Sequence, residues 1–282
     1  MSPAPGVSDP LSDRRPSGSD RPVVCPQRNG YGRHMPLVAD IGNTRTKLGL
    51  FHMGGLKRNM TLTDIRKDVI EGLVGSDDIE AVVISSVVPS STRRLIDALR
   101  ELTPLSPLLI THTSDTGLTL AVEHPQRLGT DRIVVAAYAW HYFGAAVAVV
   151  DLGTVTTLSV VDNGGRFLGG ALIPGVGMML DSLNQRTALL PHVGAEALAE
   201  LAKDLLPIGN NTHKAIASGT ILATVGAIRH IIGEAQISLG YSVKTVLTGG
   251  NCPLVVPFLN GPDLVDSNLS LKGLNYIYER TQ

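Results

Sequence analysis

The chain has 282 residues, more than one hydrophobic core usually serves, and its 43% hydrophobic residues are enough to fill two, so two domains are expected. Its 24 basic and 25 acidic residues leave a net charge of −1, with no long-range attraction for nucleic acid or anionic lipid, which argues against either partner as the main one. Cys25 and Cys252 lie far apart and match no metal-ligand spacing, as suits a reducing cytoplasm.

Residues 1–35 are crowded with Pro, Ser, Gly and Arg and have almost no apolar periodicity, so ordering them would cost entropy with little burial in return. They are read as a disordered extension. The segment lacks the apolar core of a secretory signal, and its acids and prolines argue against a transit peptide. Met35 is an alternative natural start.

From Pro36 two apolar strands flank Asp40, and a third is expected near Leu56 to Leu62. Ile65, Val69, Ile70 and Leu73 then recur at helical spacing. A buried strand in EAVVISSVVP ending at Pro89, a helix over Thr92 to Leu102 and a strand at PLLITH complete a β-β-β-α-β-α-β order. That order predicts an α/β unit, a mixed sheet flanked by helices. The second half repeats it: strands from Ala145 to about Ala171, helices over Gly177 to Leu206 and Asn211 to Leu239, a strand at KTVLTGG and a closing helix near Leu271 to Tyr278. The domain boundary is placed between residues 130 and 131. The run Ile133 to Val150 is uncharged apart from His141 and nearly long enough for a bilayer. Gly144 divides it into helix-length and strand-length pieces, and the strand leads into the Asp151 turn, so a buried helix followed by a buried strand is the better account.

Two turns repeat one plan. AAVAVVDLGTVTTLS brings a strand to Asp151, turns at Gly153 and Thr154 and leaves as a second strand; PLVADIGNTRTKLGLF does the same with Asp40, Gly42, Asn43 and Thr44. Either copy alone is an ordinary hairpin with an acid at its tip, since Asp and Gly are common turn residues. The pair reads as a duplicated phosphate-handling hairpin, in which glycine lets phosphate oxygens approach backbone N–H groups and the acid engages a cation.

The order DIGNT, SSVVP, GTDR, DLGT, GGALIPGVGMM, NNTHKAIASG and TGG resembles the type III pantothenate kinases, a branch of the superfamily of acetate kinase, sugar kinases and actin. The resemblance runs from Met35 to the C-terminus. It implies two ribonuclease-H-like domains, each a mixed sheet flanked by helices, with the active site in the cleft between them. It also implies ATP-dependent phosphorylation of pantothenate at its primary hydroxyl, the first step towards coenzyme A, by a cytoplasmic homodimer. On this reading Asp40, Ile41, Gly42, Asn43, Thr44, Arg45, Thr46 and Lys47 wrap the ATP phosphates with Mg²⁺, and Thr154 touches ATP. Asp151 helps to bind a monovalent cation, K⁺ or NH₄⁺. Gly129, Thr130, Asp131 and Arg132 form the pantothenate-binding stretch, with Asp131 as the base, and Thr212 is a further substrate contact.

The residues carry chemistry of their own beside that resemblance. Carboxylates facing a triphosphate need cations between them, because two bare charges 4 Å apart repel by roughly 4 kcal/mol at an effective dielectric near 20. Asp131 and Arg132 open an apolar helix, where an acid also serves as a simple cap. The Arg132 fork suits a carboxylate. Thr212 equally suits a helix N-cap region, and Thr248, Gly249 and Gly250 fall at the superfamily's adenosine-side loop. Two departures stand out: Val122, Glu123, His124 and Pro125 replace a family Tyr-x-Asn-Pro, and Ser159 stands where Asp is common. They keep open a same-fold kinase of another small hydroxy or carboxylate substrate. A non-catalytic nucleotide-binding regulator is the other alternative, against which the retention of all three acids speaks.

Overall fold

A computed structural model describes residues 35–282. The expected disordered extension lies outside the described residues except for Met35, which is buried in the first core. The first half runs β1 (Pro36–Ile41), β2 (Thr46–His52), β3 (Gly55–Leu62), α1 (Lys67–Val74), β4 (Ala81–Ser86), α2 (Pro89–Arg100) and β5 (Leu108–Leu109). The two-residue β6 (Thr119–Leu120) and α3 (Thr130–Phe143) follow. The second half runs β7 (Val147–Leu152), β8 (Val155–Val161), β9 (Arg166–Pro174), α4 (Val176–Gln185), α5 (Ala195–Lys203), α6 (Thr212–Leu239), β10 (Lys244–Thr248), α7 (Cys252–Val255), β11 (Leu264–Val265) and α8 (Leu269–Arg280).

The sheets share one plan. The first has the order β3-β2-β1-β4-β5, and the second, β11-β10-β7-β8-β9-β6, reads backwards as the same order with β6 added outside β9. In each, an antiparallel meander of three strands is extended by parallel strands beside its first strand. This is a mixed α/β architecture of two ribonuclease-H-like sheets flanked by helices.

Chain position and sheet membership part company in two places. Thr119 and Leu120 pair with Arg166 and Phe167 of β9, so a piece of chain preceding α3 belongs to the second sheet. The C-terminal α8 packs on α3 and on β1, β2 and β4 of the first. Between the sheets, α3 sends Val134 and Ala137 into a core with Val38, Val83, Leu271 and Leu274, and Val135, Ala136 and Ala139 into another with Val147, Val149 and Phe167. A helix covered on both sides has no polar face to show, which is why the run after Arg132 is apolar all round. Gly144, in the left-handed region at φ 58°, ends it.

Three expectations need correction. Pro89 does not end a strand: β4 stops at Ser86 and the proline opens α2, where its fixed φ suits a first helical position. The helix expected over Gly177 to Leu206 is two helices, α4 and α5, parted by a loop holding Pro191 and ending at Gly194, the extended N-cap of α5. The strand at PLLITH shrinks to Leu108 and Leu109, whose side chains are exposed at the sheet edge. The 28-residue α6 is long and apolar enough to cross a membrane by composition, but its Ile216, Ala217, Ile221, Val225 and Ile228 pack into the second core.

Candidate active site

The equivalent strands β1 and β7 end at equivalent acids, and register fixes what stands beside each. Asp40 pairs with Lys47 on one side and Ser85 on the other. Asp151 pairs with Thr157 and Thr248. One acid therefore has a cation beside it in its sheet, and the other has only hydroxyls.

The two turns meet. Gly42 N–H donates to the Arg45 carbonyl at 3.0 Å, closing the first turn and leaving Asn43, Thr44 and Arg45 exposed. Across the gap, the Thr44 and Thr154 hydroxyls share a hydrogen bond of 2.8 Å. Lys47 Nζ donates to the Ser267 carbonyl at 3.0 Å, just before α8. Ile41 and Thr46 are buried, Ile41 within the first core, so Ile41 can offer a ligand its backbone alone.

The third acid arrives on α3. The Thr130 and Ser85 hydroxyls share a hydrogen bond of 2.9 Å, and Thr130 Oγ1 also donates to the Ser86 carbonyl at 3.3 Å, which bolts the start of the helix to the first sheet. Arg132 reaches the other way: its Nε donates to Ser159 Oγ at 3.0 Å and its Nη2 to the Leu158 carbonyl at 3.3 Å, both on β8. Asp131 Oδ1 accepts the Arg132 backbone N–H at 2.8 Å, so the capping role is present in part. A Cβ on Gly129 would lie 2.4 Å from that oxygen, so a larger residue there would displace the Asp131 carboxylate. Gly249, at φ 100°, stands in the same relation to Asp151 Oδ1, again 2.4 Å from where a Cβ would sit.

Electrostatics shows the convergence. Burial pushes the Asp40 carboxyl up to about 6; nearby Ser270 and Lys47 favour its charged form, and the Asp131 charge opposes it. Burial also pushes Asp151 up to about 6, with Lys47 opposing and Asp40 and Asp131 adding repulsion. Burial raises Asp131 as well, offset by the Arg132 N–H and guanidinium. Three acids thus feel one another, and Lys47 is the cation that acts on both hairpin acids. The Thr248 hydroxyl, beside Asp151, is buried without a hydrogen-bond partner among the described residues, whereas the buried Ser270 hydroxyl faces the Asp40 carboxylate. An unpartnered group of this kind costs free energy unless something engages it.

Thr212 opens α6. It is the exposed first residue of α6, whose cap is Asn211 accepting the Lys214 N–H at 2.9 Å, and no hydrogen bond joins it to the acids among the described residues. Sequence reasoning missed Ser85, Asn251, Ser267 and Ser270. Asn251 N–H donates to the Leu152 carbonyl at 3.0 Å and its Nδ2 to the Gly153 carbonyl at 3.1 Å, holding the second turn. Its place directly after TGG was an available signal; Ser267 and Ser270, in a bland stretch before and within α8, offered none.

A profile of the type III pantothenate kinases matches residues 36–234, more than half of the chain. This chain belongs to the type III pantothenate kinase family. The type III pantothenate kinase of Thermomicrobium roseum is 34% identical over 258 residues, covering 87% of this chain and 97% of its own. That of Brevibacillus brevis is 35% identical over 260 residues, covering 88% and 100%. Among solved structures, a conserved Baf family protein of Campylobacter jejuni aligns with a TM-score of 0.56 at 18% identity, over 87% of this chain and 98% of that one. Component A of the Acidaminococcus fermentans (R)-2-hydroxyglutaryl-CoA dehydratase aligns at 0.51 with 12% identity, over 87% and 97%. At such identities these two speak for the fold alone.

Proposed function

We propose that the cleft between the hairpins is where this pantothenate kinase transfers the terminal phosphoryl group of ATP to the primary hydroxyl of pantothenate, entering coenzyme A synthesis. The observation that carries the reading is the meeting of Asp40 and Asp151, which share the cation Lys47, with Asp131, whose charge reaches both, where the two turns touch through Thr44 and Thr154. Phosphoryl transfer asks for positioning and charge neutralisation, and this arrangement supplies both.

The exposed turn from Gly42 to Arg45 offers backbone N–H groups and the Arg45 guanidinium to phosphate oxygens, with Lys47 behind it and Thr154 opposite. Asp131 takes the proton of the substrate hydroxyl; its burial raises it towards the pH at which it works. Gly129 and Thr130 position it, and Arg132 receives the substrate carboxylate. Thr212, exposed at the start of α6, is proposed as a further contact of the substrate.

Mg²⁺ fits the site. No group of three or more His, Cys, Asp or Glu that could enclose a metal exists among the described residues, but Mg²⁺ characteristically takes one or two carboxylates and completes its shell with phosphates and water. Asp40 would hold it, and when bound it would neutralise charge on the transferring phosphoryl group. Asp151, with Thr157 and Thr248 beside it and no basic neighbour in its sheet, is proposed for the monovalent cation, K⁺ or NH₄⁺.

A homodimer is supported by exposed apolar residues: Val155 and Leu172 on β8 and β9, Met178 on α4, and Leu189, Leu206 and Ile208 in the loops around α5. Leu189 at 92% exposure and Ile208 at 83% are poor surface residues for a lone subunit. Sedimentation of the wild type and of Leu189→Asp/Ile208→Asp tests this. We also place the enzyme in the cytoplasm, where ATP is available and the buried Cys252 thiol stays reduced.

The deciding experiment is coupled ADP release with pantothenate, pantetheine, acetate and simple sugars as acceptors. Turnover dependent on pantothenate is expected. Turnover on acetate or a sugar with none on pantothenate would overturn the reading.

A further inference from the structure

The side chain of Arg132 is held entirely by uncharged groups. Nε donates to Ser159 Oγ at 3.0 Å, Nη2 donates to the Leu158 carbonyl at 3.3 Å, and the guanidinium carbon lies 5.5 Å from the centre of the Phe167 ring. Burial disfavours its charge, which only the neighbouring Asp131 supports, and the Asp131 oxygen with a hydrogen bond here takes it from the backbone N–H of Arg132 rather than from the guanidinium.

The holder is a built feature of β8 and β9. Ser159 is 1% exposed and Phe167 is fully buried. Opposite Ser159 in the register stands Gly170, at φ 150°, where a Cβ would lie 1.8 Å from the Leu158 carbonyl oxygen. Any other residue at 170 would push into the oxygen that accepts from Arg132. Val122, half-buried, packs into the same apolar cluster as Phe167, so the segment that departs from the family's pattern lies behind this wall.

Two requirements compete at such a position. A guanidinium meant to receive a substrate carboxylate must be fixed in direction, because a long free side chain loses entropy on binding. It must also keep one edge of its fork open to that carboxylate, so the groups that hold it must leave donors free. A serine hydroxyl and a backbone carbonyl meet both, as they orient the fork through Nε and one terminal nitrogen without occupying its other donors.

We propose that Ser159 is a positioning residue for substrate recognition, holding Arg132 by a hydrogen bond so that its guanidinium faces the carboxylate of the acceptor substrate. This rests on the assignment of Arg132 to that carboxylate. Ser159 does not touch the substrate; it acts through Arg132. The consequence is selectivity for acceptors bearing a carboxylate over the same acceptors without one.

The test is steady-state kinetics with pantothenate, and with pantetheine, which lacks the carboxylate, on Arg132→Met, Ser159→Ala, Ser159→Thr and Ser159→Asp, each with a melting curve. Ser159→Ala removes the hydrogen bond and keeps the charge: KM for pantothenate should rise about three- to tenfold, with kcat and the KM for ATP nearly unchanged. Ser159→Thr keeps the hydroxyl and should restore a pantothenate KM close to that of the wild type. Ser159→Asp, which supplies the acceptor common at this position in the family, should hold Arg132 and keep the pantothenate KM closer to that of the wild type than Ser159→Ala does, while pantetheine kinetics change little. If Arg132→Met leaves the pantothenate KM unchanged, the assignment of Arg132 fails and this inference with it. If Arg132→Met raises that KM while Ser159→Ala, folded by its melting curve, behaves as wild type, the assignment stands and the role of Ser159 is refuted. Equal losses on both substrates would likewise refute it, because a merely structural serine does not distinguish a carboxylate.

Discussion

The hairpins β1–β2 and β7–β8 are copies in strand order, turn and acid, yet their surroundings differ. Asp40 has Lys47 beside it and Arg45 in its turn, whereas Asp151 has Thr157 and Thr248 beside it and Val155 after its turn. Within its own strands the first copy thus carries positive charge and the second carries oxygen atoms, while Lys47 of the first also acts on the acid of the second. Anionic phosphates suit the first and a weakly charged cation suits the second. A duplicated element can divide one task without changing its backbone, because strand register decides which strand neighbours stand beside the acid.

The largest effect is expected outside both hairpins, which makes it a control on the comparison. Asp131→Asn keeps the shape and the ability to accept the Arg132 N–H but cannot take a proton, so kcat should fall by roughly two to four orders of magnitude while melting and ligand titration stay near wild type. A near-normal kcat would remove Asp131 as base, and a collapsed melting temperature would favour its capping role.

The comparison itself is tested by matched substitutions. Asp40→Ala should lower kcat/KM for Mg²⁺-ATP by about 10² to 10³ in any monovalent salt, the scale of a lost electrostatic contact to the transferring group. Asp151→Ala should instead abolish the advantage of K⁺ or NH₄⁺ over Na⁺, a change of about tenfold by the weaker field of a monovalent ion. If both variants behaved alike in salt exchange, the division of labour would be wrong.

A smaller effect concerns stability without ligands. Both hairpin acids have folded-state pKa values near 6, above the ordinary 3.8, so their charged forms are disfavoured by folding. The folded protein binds more protons than the unfolded chain between those values; the two acids therefore destabilise it above pH 6, and the penalty is relieved as pH falls towards 4. Apart from other groups, the metal-free enzyme should gain stability from pH 7 to pH 5, and Asp151→Asn at pH 7 should gain about 1 to 3 kcal/mol. Denaturant titration in EDTA reads it; no gain in Asp151→Asn would show that the acid is adequately solvated in the free enzyme.

The smallest effect is expected from removing the N-terminal extension. The described core begins at Met35, and a chain starting there should match the full chain in kcat and melting temperature within about twofold and a few degrees. A marked loss of turnover or solubility would give the extension a structural role.

The acids, the two glycine turns and the apolar helix before Gly144 were all legible in the sequence, because each is written within a window of some fifteen residues as a strand end, a turn or a periodicity. So was the doubled architecture, since its second copy repeats the first in order. Tertiary structure decided what stands beside each acid. Ser85 and Thr248 reach their places by parallel pairing of strands distant in sequence, Ser267 and Ser270 arrive with the last helix, and Arg132 finds Ser159 across the join between α3 and β8. The division of the helix after Gly177 and the pairing of Thr119 and Leu120 with the second sheet also depended on packing. Local patterns state which face of an element is apolar; which other face will cover it is settled only when burial is satisfied over the whole chain at once.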